Sequence, residues 1–255
     1  RRDGFAAWAA RHLFIRTKVG EIAPLRLNAV QRSLHTRLCE QRRRTGRVRA
    51  LVLKARQPGV STYVEARFYR HVIRRRGVRA FILTHLRDST DAIFEMVDRF
   101  HDRNPAKRKP HLGACNAKEM FFDGIDSGYR VGTAGSKAIG RGHTLQYFHG
   151  SEVAHWPNAA AHMAGVMQAV PDVDGSEVIL ESTANGIGGL FYDMCKAAER
   201  GDGEYELIFI PWFAHDEYRA KPPADWAPPP AFAEYAALHG LARQRLYWAW
   251  RRNGG

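Results

Sequence analysis

The chain has 255 residues, of which 45% are hydrophobic and 25% charged. This composition is ordinary for a globular protein with a sizeable core, and it excludes global disorder and collagen-like repeats. Lysine and arginine number 39 against 26 aspartates and glutamates, a net charge of +13. Such an excess favours a polyanionic partner such as nucleic acid, although a merely basic soluble protein is the alternative.

The three cysteines, Cys39, Cys115 and Cys195, are widely spaced and form no CxxC pair. The sequence therefore predicts neither a disulfide framework nor a zinc knuckle, and it fits a reducing cytoplasm. No apolar run reaches the roughly 18 residues of a membrane span, and the apolar stretch at the N-terminus is too short for a signal peptide. We expect no membrane association.

Apolar residues change from helical spacing near the N-terminus to short runs that alternate with amphipathic helices. The predicted elements, in chain order, are helices 5–16 and 28–39, strand 50–55, helix 61–75, strand 80–85, helix 89–103, a loop over 104–116, a hairpin around 125–128, strands 145–150 and 177–184, helix 188–200 and strand 205–212. This alternation predicts an α/β fold with a mostly parallel sheet covered by helices on both faces. From about Ala220 a Pro-rich linker and a short helical tail follow.

The first predicted strand runs into the loop RQPGVST (56–62), which a helix follows. This order is the geometry of a phosphate-binding loop, where backbone N–H groups and the helix N-terminus favour an anion. The pattern GxxxxGK[ST] places its first position, second glycine, lysine and hydroxyl on Lys54, Gly59, Val60 and Ser61. Because valine occupies the lysine position, Lys54 or Arg56 would reach the phosphates, and Ser61 is the candidate Mg²⁺ ligand. The alternative is an ordinary strand-to-helix turn.

A second element, LQYFHGSEVAHW (145–156), is an apolar strand that ends in a carboxylate at Glu152. An acid at a strand end beside a phosphate-binding loop is how nucleotide hydrolases position the group that activates water. Ser151 stands where a second acid is usual; its hydroxyl can hold a Mg²⁺-bound water but adds no charge. The alternative is a plain edge of a sheet.

A third element, VILESTANG (178–186), is a buried strand that ends in the polar residues Ser182, Thr183 and Asn185. Polar groups at the carboxyl end of a central strand lie where α/β sheets bind ligands. The alternative is a helix N-cap, a position that serine, threonine and asparagine favour.

Three histidines also lie near predicted strand ends, namely His85, His149 and His155. They lack the spacing of zinc ligands, so packing or capping roles are predicted for them.

These motifs, in this order and spacing, resemble the ATPase domain of phage large terminase subunits, the motors that pack double-stranded DNA into procapsids. The resemblance covers about residues 25–212 and is carried by Gln31 in NAVQ and by the segments KARQPGVST, TAGSKAIGRG, HGSEVAHW and ESTANG. It implies a P-loop NTPase fold of the ASCE/RecA-like type that binds ATP and Mg²⁺. It also implies a domain over 1–212, with an N-terminal helical part over 1–45, and a linker or lid over 213–255.

The resemblance implies roles for the residues around the nucleotide. Gln31 corresponds to the glutamine that reads adenine, and Asn28 supports it. Arg56 corresponds to the arginine that senses the γ-phosphate, and Lys54 to a lysine moved to the start of the loop. The rest of the predicted nucleotide-binding loop is Gln57, Pro58, Gly59, Val60, Ser61 and Thr62.

The resemblance likewise implies the catalytic and coupling residues. Glu152 corresponds to the catalytic glutamate, whereas Ser151 departs from the usual aspartate. The predicted metal ligands are therefore Ser61, Ser151 and Glu152. The coupling motif, which also contacts nucleotide, corresponds to Ser182, Thr183 and Asn185. Arg141 lies where the family places an arginine finger that acts on the neighbouring subunit, although a DNA-contacting or surface arginine is the alternative.

The partners implied by the resemblance are double-stranded DNA, the portal protein, the procapsid and the small terminase subunit, in the host cytoplasm. A homo-oligomeric ring is expected on assembly and a monomer in isolation. Three basic runs are candidate DNA contacts, although such runs are usually solvated: 42–44, 74–76 and 107–109. Because the residues after 212 are too few for the family's nuclease domain, we expect a fragment with ATPase capacity and no cleavage activity.

Two other functions remain open at the level of the sequence. One is a helicase-like DNA translocase of the same ATPase superfamily. The other is a DNA-binding module whose degenerate loop no longer hydrolyses ATP, which Val60 and Ser151 keep open.

Overall fold

The structure of the protein, a computed structural model, describes residues 4–107, 109–135 and 144–253. The chain divides into two units, Arg1–Phe209 and Ile210–Gly255. None of the described helices combines the length and the apolar character that crossing a lipid bilayer requires.

Helices and strands alternate through most of the chain. The helices are α1 (Gly4–His12), α2 (Ala29–Thr45), α3 (Val60–Val72), α4 (Arg87–Arg103), α5 (Ala159–Met167), α6 (Leu190–Glu199), α7 (Pro230–His239) and α8 (Arg243–Arg252). The strands are β1 (Phe14–Arg16), β2 (Ile22–Pro24), β3 (Val48–Lys54), β4 (Arg79–Thr84), β5 (Ala114–Asn116), β6 (Glu119–Phe122), β7 (Ser127–Thr133), β8 (Tyr147–Ser151), β9 (Glu177–Ser182) and β10 (Glu206–Ile210).

Eight of the described strands form one sheet in the order β10-β3-β9-β8-β4-β7-β6-β5. The pairs β3–β9, β9–β8, β8–β4 and β4–β7 are all parallel, and the β7–β6 and β6–β5 pairs at one edge run antiparallel. The predicted mostly parallel α/β sheet is therefore confirmed. Since β9 lies between β3 and β8, the loops that follow these three strands meet at one edge, where α/β sheets bind ligands.

The central strands are buried along almost their whole length, because helices cover both faces of the sheet. Every residue of β8 and β9 is buried, as is all but one residue of β3. Continuous apolar runs of this kind are typical of parallel strands. One core cluster joins Leu51, Phe148 and Leu180 of these strands to Val166 of α5 and Phe191 of α6. This packing makes the carboxyl edge of the sheet a rigid base for the loops above it.

The N-terminal segment differs from the predicted helix over 5–16. α1 ends at His12, and Phe14–Arg16 pairs antiparallel with Ile22–Pro24 as a small hairpin. Gly20, with a φ of 88°, lies in the turn and adopts a conformation that other residues reach only at a steric cost. A three-residue strand is too short for its alternation to be told from helical spacing, so this part of the prediction is wrong.

Three other elements lie where no strand or helix was predicted. β5 lies inside the predicted loop 104–116 and pairs with β6, which follows that loop. α5 follows β8 and buries Met163 and Val166, although its alanine-rich sequence shows little amphipathic pattern. α7 lies in the Pro-rich segment and begins at Pro230, because proline is tolerated in the first turn of a helix, where no intrahelical N–H bond is needed.

The second unit contains α7, α8 and a small aromatic cluster of its own. The Trp248 ring stacks on Tyr218 with centroids 4.1 Å apart and on Trp212 at 5.7 Å. Leu246 and Ala249 on α8 are buried. The Pro-rich C-terminal segment therefore includes ordered packing rather than an extended linker alone.

Candidate functional site

The loop between β3 and α3 takes a conformation that requires glycine at its end. Gly59, the residue before α3, has a φ of 80° in the left-handed region. A Cβ atom added there would come within 2.7 Å of the Nε2 atom of Gln31. Gln57 also has a positive φ, of 52°. The chain thus turns sharply from the strand into the N-terminus of a helix, where unpaired backbone N–H groups favour an anion.

Asn28 and Gln31 hold this loop from the start of α2. They form a capping box, in which the Gln31 N–H donates to Asn28 Oδ1 (2.8 Å) and the Asn28 N–H donates to Gln31 Oε1 (3.0 Å). The Asn28 side chain then donates to the Pro58 carbonyl (3.1 Å), and the Gln31 side chain donates to the Gly59 carbonyl (2.8 Å). Both predicted nucleotide-side residues therefore position the loop, and contact of Gln31 with adenine stays a prediction.

Valine occupies the lysine position of the loop and points into the core. Val60 is 1% exposed, so it leaves the loop without a cation at this position. Lys54, at the end of β3, instead places its Nζ atom 2.7 Å from Glu152 Oε1 and 3.2 Å from Glu181 Oε2. Burial acts to lower the pKa of Lys54, but the carboxylates of Glu181 and Glu152 outweigh it and raise that pKa above its usual value.

Glu152 follows β8 directly and has a positive φ of 54°. Its Oε2 atom accepts hydrogen bonds from the Thr183 backbone N–H (3.1 Å), the Thr183 hydroxyl (3.1 Å) and the Ser182 hydroxyl (3.4 Å). Burial acts to raise the pKa of Glu152, but the Lys54 amine and the Thr183 N–H hold it below its usual value. The carboxylate is therefore ionised at neutral pH and fixed by the end of β9.

The segment after β9 is also tied to the segment after β8. The Asn185 side chain donates to the Ala154 carbonyl (2.9 Å), and the Ala154 N–H donates to the Ser182 hydroxyl (3.2 Å). The predicted catalytic glutamate and the three predicted coupling residues thus form one hydrogen-bonded group.

Glu181, which the sequence analysis left without a role, lies at the centre of this group. It is fully buried on β9, and its Oε1 atom accepts hydrogen bonds from the hydroxyls of Ser61 and Ser151, the latter at 3.1 Å. Burial acts to raise the pKa of Glu181, but the Lys54 amine holds it well below its usual range. A glutamate inside an apolar strand requires a partner when buried, and this was the available signal in VILESTANG.

His149 and Glu65 form a buried pair behind Glu181. The His149 Nδ1 atom lies 2.5 Å from Glu65 Oε1, and its Nε2 atom lies 3.5 Å from Glu181 Oε1, with all three side chains fully buried. Burial acts to lower the pKa of His149, but the Glu65 carboxylate raises it to about 9. His149 therefore pairs with two buried glutamates and links α3 to the end of β9, whereas the sequence predicted a packing or capping role.

A cavity of about 400 Å³ opens beside these groups. Its lining residues are Arg56, Gln57, His85, Glu152, His155 and Thr183. The His155 Nε2 atom lies 3.2 Å from the Thr183 hydroxyl. Burial lowers the pKa of His85, and its buried Nδ1 atom has no hydrogen-bond partner among the described residues. The cavity thus combines a carboxylate with cationic and polar groups, and its volume is in the range of ligand pockets.

Two larger cavities are lined by other residues. One, of about 640 Å³, is lined by arginines and glutamates that already pair with each other, such as Arg47 and Glu204 at 3.3 Å. The other, of about 450 Å³, is lined mainly by apolar and small residues of segments 153–161 and 188–191. Neither combines an amine, hydroxyls and a carboxylate as the surroundings of Lys54 do.

Most of the predicted site residues lie around the 400 Å³ cavity or support its walls. Arg56 and Gln57 are exposed on the loop, Pro58 is buried beneath it, and Thr62 is half-buried in the first turn of α3. Arg141, the predicted arginine finger, lies outside the described residues.

The donor set around Ser61 fits a magnesium ion that is shared with a nucleotide. Within the described ranges, no group of three or more histidine, cysteine, aspartate or glutamate side chains could hold a metal by itself. Mg²⁺ in nucleotide sites keeps several waters and takes only one or two protein ligands besides the phosphates. The Ser61 and Ser151 hydroxyls, both bonded to a buried carboxylate, suit such partial coordination.

No protein-family model and no curated protein sequence matches this chain. Its structure is nevertheless similar to those of phage large terminases. The large terminase of bacteriophage HK97 aligns with a TM-score of 0.64 and 14% identity, over 96% of this chain and 49% of that one. The ATPase domain of the Thermus phage P74-26 large terminase aligns with a TM-score of 0.57 and 18% identity, over 88% of this chain and 93% of that one.

A third similar structure is the large terminase of a thermophilic bacteriophage in complex with ADP. It aligns with a TM-score of 0.50 and 10% identity, over 74% of this chain and 44% of that one. This chain therefore has the fold of phage large terminase ATPase domains, a P-loop NTPase fold, as the resemblance implied. It spans about half the length of the HK97 protein.

Proposed function

We propose that this chain is the ATP-hydrolysing domain of a viral DNA-packaging motor, which couples Mg-ATP hydrolysis to movement of double-stranded DNA into a procapsid. The observation that carries the proposal is the meeting of Lys54, Ser61 and Glu152 at the carboxyl edge of the parallel sheet, beside a loop that favours an anion. The fold supports it, and the net charge of +13 suits a polyanionic track.

The loop and the first turn of α3 would bind the phosphates. The first intrahelical bond of α3 runs from the Tyr63 N–H to the Gly59 carbonyl (3.1 Å). Helix geometry leaves the N–H groups before it without an intrahelical partner, and these attract anions. Lys54 supplies a charged amine, and Arg56 on the exposed loop lies beside the same cavity. Asn28 and Gln31 keep the loop in shape through its carbonyls.

Glu152 would position the attacking water. Phosphoryl transfer depends mainly on positioning and charge stabilisation, so an ionised carboxylate held by two hydroxyls and one N–H is suited to orient a water molecule. Mg²⁺, if bound with ATP, would neutralise charge on the phosphate oxygens, and the hydroxyls of Ser61 and Ser151 would be its protein ligands.

Movement would begin at the hydrogen bonds between Glu152 and the end of β9. Because Thr183 and Ser182 bond to the carboxylate and Asn185 bonds to Ala154, a shift of Glu152 on hydrolysis displaces the segment after β9. Arg141 of a neighbouring subunit would act in trans in an assembled ring. The portal protein, the procapsid and the small terminase subunit are the corresponding partners in the host cytoplasm.

One observation favours a second candidate function. The burial of Val60 leaves the standard lysine position without a cation, as in a DNA-binding module whose nucleotide site no longer hydrolyses ATP. In that case Lys54 would act only as the counter-ion of two glutamates. A helicase-like translocase would use the same site chemistry.

Hydrolysis and binding measured on the same samples test the proposal. We expect Mg²⁺-dependent ATP hydrolysis whose turnover per subunit rises with protein concentration. The reason is that an arginine supplied by a neighbouring subunit contributes about 10³–10⁵ in rate in such enzymes. Glu152→Gln should keep ATP binding but lower hydrolysis by about 10²–10⁴. Glu199→Gln, which changes an exposed glutamate on α6, is the matched control. DNA binding by a wild-type protein that binds no nucleotide would favour the second candidate.

A further inference from the structure

The proposed magnesium site lacks the carboxylate that the resemblance places at position 151. Ser151 offers a hydroxyl and no charge, so this position does not supply the anion that an aspartate would. The neighbouring strand supplies one. In the parallel pairing of β8 with β9, the Cα partner of Ser151 is Glu181.

The Glu181 carboxylate is held between both serine hydroxyls and the amine. Its Oε1 atom accepts from Ser61 and from Ser151 at 3.1 Å, and its Oε2 atom faces Lys54 Nζ at 3.2 Å. Oε2 has no hydrogen-bond partner among the described residues beyond this ion pair. The side chain is fully buried, so its orientation is set by these contacts rather than by solvent.

Hydroxyl chemistry explains why this arrangement suits a divalent cation. A serine hydroxyl has one proton to donate and two lone pairs to offer. When the hydroxyls of Ser61 and Ser151 donate hydrogen bonds to Glu181, their lone pairs remain for a cation or for its bound water. A carboxylate that orients a metal ligand in this way also raises the electron density on the ligand oxygen, as outer partners of metal ligands generally do.

We propose that Glu181 is a positioning residue for Mg²⁺, supplying from β9 the carboxylate that Ser151 lacks and acting through the hydroxyls of Ser61 and Ser151. This inference rests on the proposed function, because it needs a magnesium–nucleotide complex at the site. The competing explanation is that Glu181 only balances the charge of Lys54. In that case the Mg²⁺ dependence of ADP binding would not change when Glu181 is replaced.

The test measures ADP binding as a function of Mg²⁺ concentration and again in EDTA. We expect Glu181→Gln to raise the Mg²⁺ concentration for half-maximal ADP binding by about 10–100-fold, the usual cost of losing an outer partner of a metal ligand. ADP binding in EDTA should stay unchanged. Glu199→Gln, which changes an exposed glutamate on α6 that pairs with Lys196 and contacts neither serine, is the control and should leave the Mg²⁺ dependence unchanged.

A transplanted carboxylate sharpens the test. Adding Ser151→Asp to Glu181→Gln returns a single carboxylate to the same place from β8, so we expect the Mg²⁺ dependence to recover to near the wild-type value. With Mn²⁺ in place of Mg²⁺, electron paramagnetic resonance of the ADP complex should show an altered manganese environment in Glu181→Gln. If Glu181→Gln fails to fold, Glu181→Asp provides the measurement. Its shorter side chain should also raise the Mg²⁺ concentration needed for half-maximal ADP binding.

The outcomes separate this inference from the proposed function. Wild-type protein that binds ADP and ATP no better with Mg²⁺ than in EDTA overturns the proposed Mg-ATP function and this inference with it. Wild-type Mg²⁺ dependence that Glu181→Gln or Glu181→Asp leaves unchanged overturns this inference alone. An equal loss of ADP binding with Mg²⁺ and in EDTA also overturns it, because Glu181 would then only balance the charge of Lys54.

Discussion

The Nζ atom of Lys54 lies 2.7 Å from the Oε1 atom of Glu152, although the two residues are 98 positions apart in the chain. β3 ends at Lys54, and Glu152 directly follows β8. Both strands pair with β9 and so end on either side of it. The amine and the carboxylate form an ion pair and neutralise each other. Under the proposed function, a bound triphosphate would compete with Glu152 for the amine, and nucleotide binding would then be linked to the release of Glu152.

Replacing Lys54 should weaken nucleotide binding and destabilise the fold together. We expect Lys54→Met to lower ADP affinity at least about tenfold and to lower the free energy of unfolding, because the buried Glu181 and the half-buried Glu152 lose their common cation. Lys54→Arg, which keeps the charge, should retain most of the stability. Titration calorimetry with ADP and urea unfolding measure the two effects, and exposed Lys196→Met is the control. Unchanged ADP affinity in Lys54→Met would rule out a displaced lysine.

The Thr183 hydroxyl should matter for hydrolysis more than for binding. Thr183→Val keeps the shape and the backbone N–H but removes one hydrogen bond to Glu152 (3.1 Å). A hydrogen bond to a charged group contributes about 1.5–3 kcal/mol, so we expect about a tenfold or greater loss of ATP turnover with little change in ADP affinity. Thr183→Ser, which retains the hydroxyl, should keep turnover near the wild-type value. Equal turnover in Thr183→Val and wild type would show that the hydroxyl does not position Glu152.

The fold and the three polar strand ends were predictable from the sequence because each lies within one continuous segment. A buried strand, a glycine turn and a helix follow one another around Gly59, and Glu152 and Thr183 end apolar runs. Chain order and the topology of parallel sheets then bring these ends to one edge. The position of Lys54 at the start of the loop also predicted a cation at this edge, and its amine lies 2.7 Å from Glu152.

The contacts between segments were not predictable in the same way. Glu181 lies inside an apolar strand, and its role depends on which side of β9 faces Ser61 and Ser151, which only the strand order decides. Gln31 is likewise far from the loop in the chain, and its bond to the Gly59 carbonyl follows from the packing of α2. α5 was missed because alanines give weak periodicity, so its position depends on the core beneath it.

Gln31 offers a test that separates a loop anchor from an adenine contact. Gln31→Leu removes the bond to the Gly59 carbonyl and half of the capping box, so we expect a loss of about 1 kcal/mol in the free energy of unfolding and weaker binding of ATP and GTP alike. Affinities for both nucleotides and urea unfolding give the result. Gln168→Leu, the same change at an exposed glutamine, is the control. A loss confined to ATP would instead support adenine recognition by Gln31.

The opposite end of β9 carries a buried ion pair that should contribute to stability alone. Glu177 is fully buried and accepts two hydrogen bonds from the Arg67 guanidinium, at 2.7 and 2.9 Å, and one from Arg42 at 2.8 Å. Removing one partner leaves an uncompensated buried charge, so Glu177→Gln should cost about 3–5 kcal/mol in the free energy of unfolding. Glu199→Gln, which breaks an exposed pair with Lys196, should cost nothing measurable. A change below 1 kcal/mol in Glu177→Gln would contradict this role.

Mild acid should destabilise the fold before its carboxylates are protonated. Burial lowers the pKa of His35 to about 4, of His71 to about 3 and of His101 to about 4. Because these folded-state values lie below the usual 6.5, the unfolded chain binds their protons first, and stability falls as pH decreases from about 6.5 towards 4. The fully developed slope is about 1.4 kcal/mol per pH unit for each histidine.

Urea unfolding at several pH values measures this slope. His101 is the sharpest position, since its buried ring accepts or donates a hydrogen bond with the Tyr69 hydroxyl at 3.1 Å and packs against Phe122. We expect His101→Gln to lower the free energy of unfolding at pH 7.5. It should also reduce the slope of that free energy between pH 6 and 5 by up to about 1.4 kcal/mol per pH unit, because glutamine does not titrate. Between pH 7.5 and 8.5, where all three histidines are neutral in both states, the variant and the wild type should have parallel profiles. An undiminished slope in His101→Gln would mean that the imidazole already carries its proton in the folded protein.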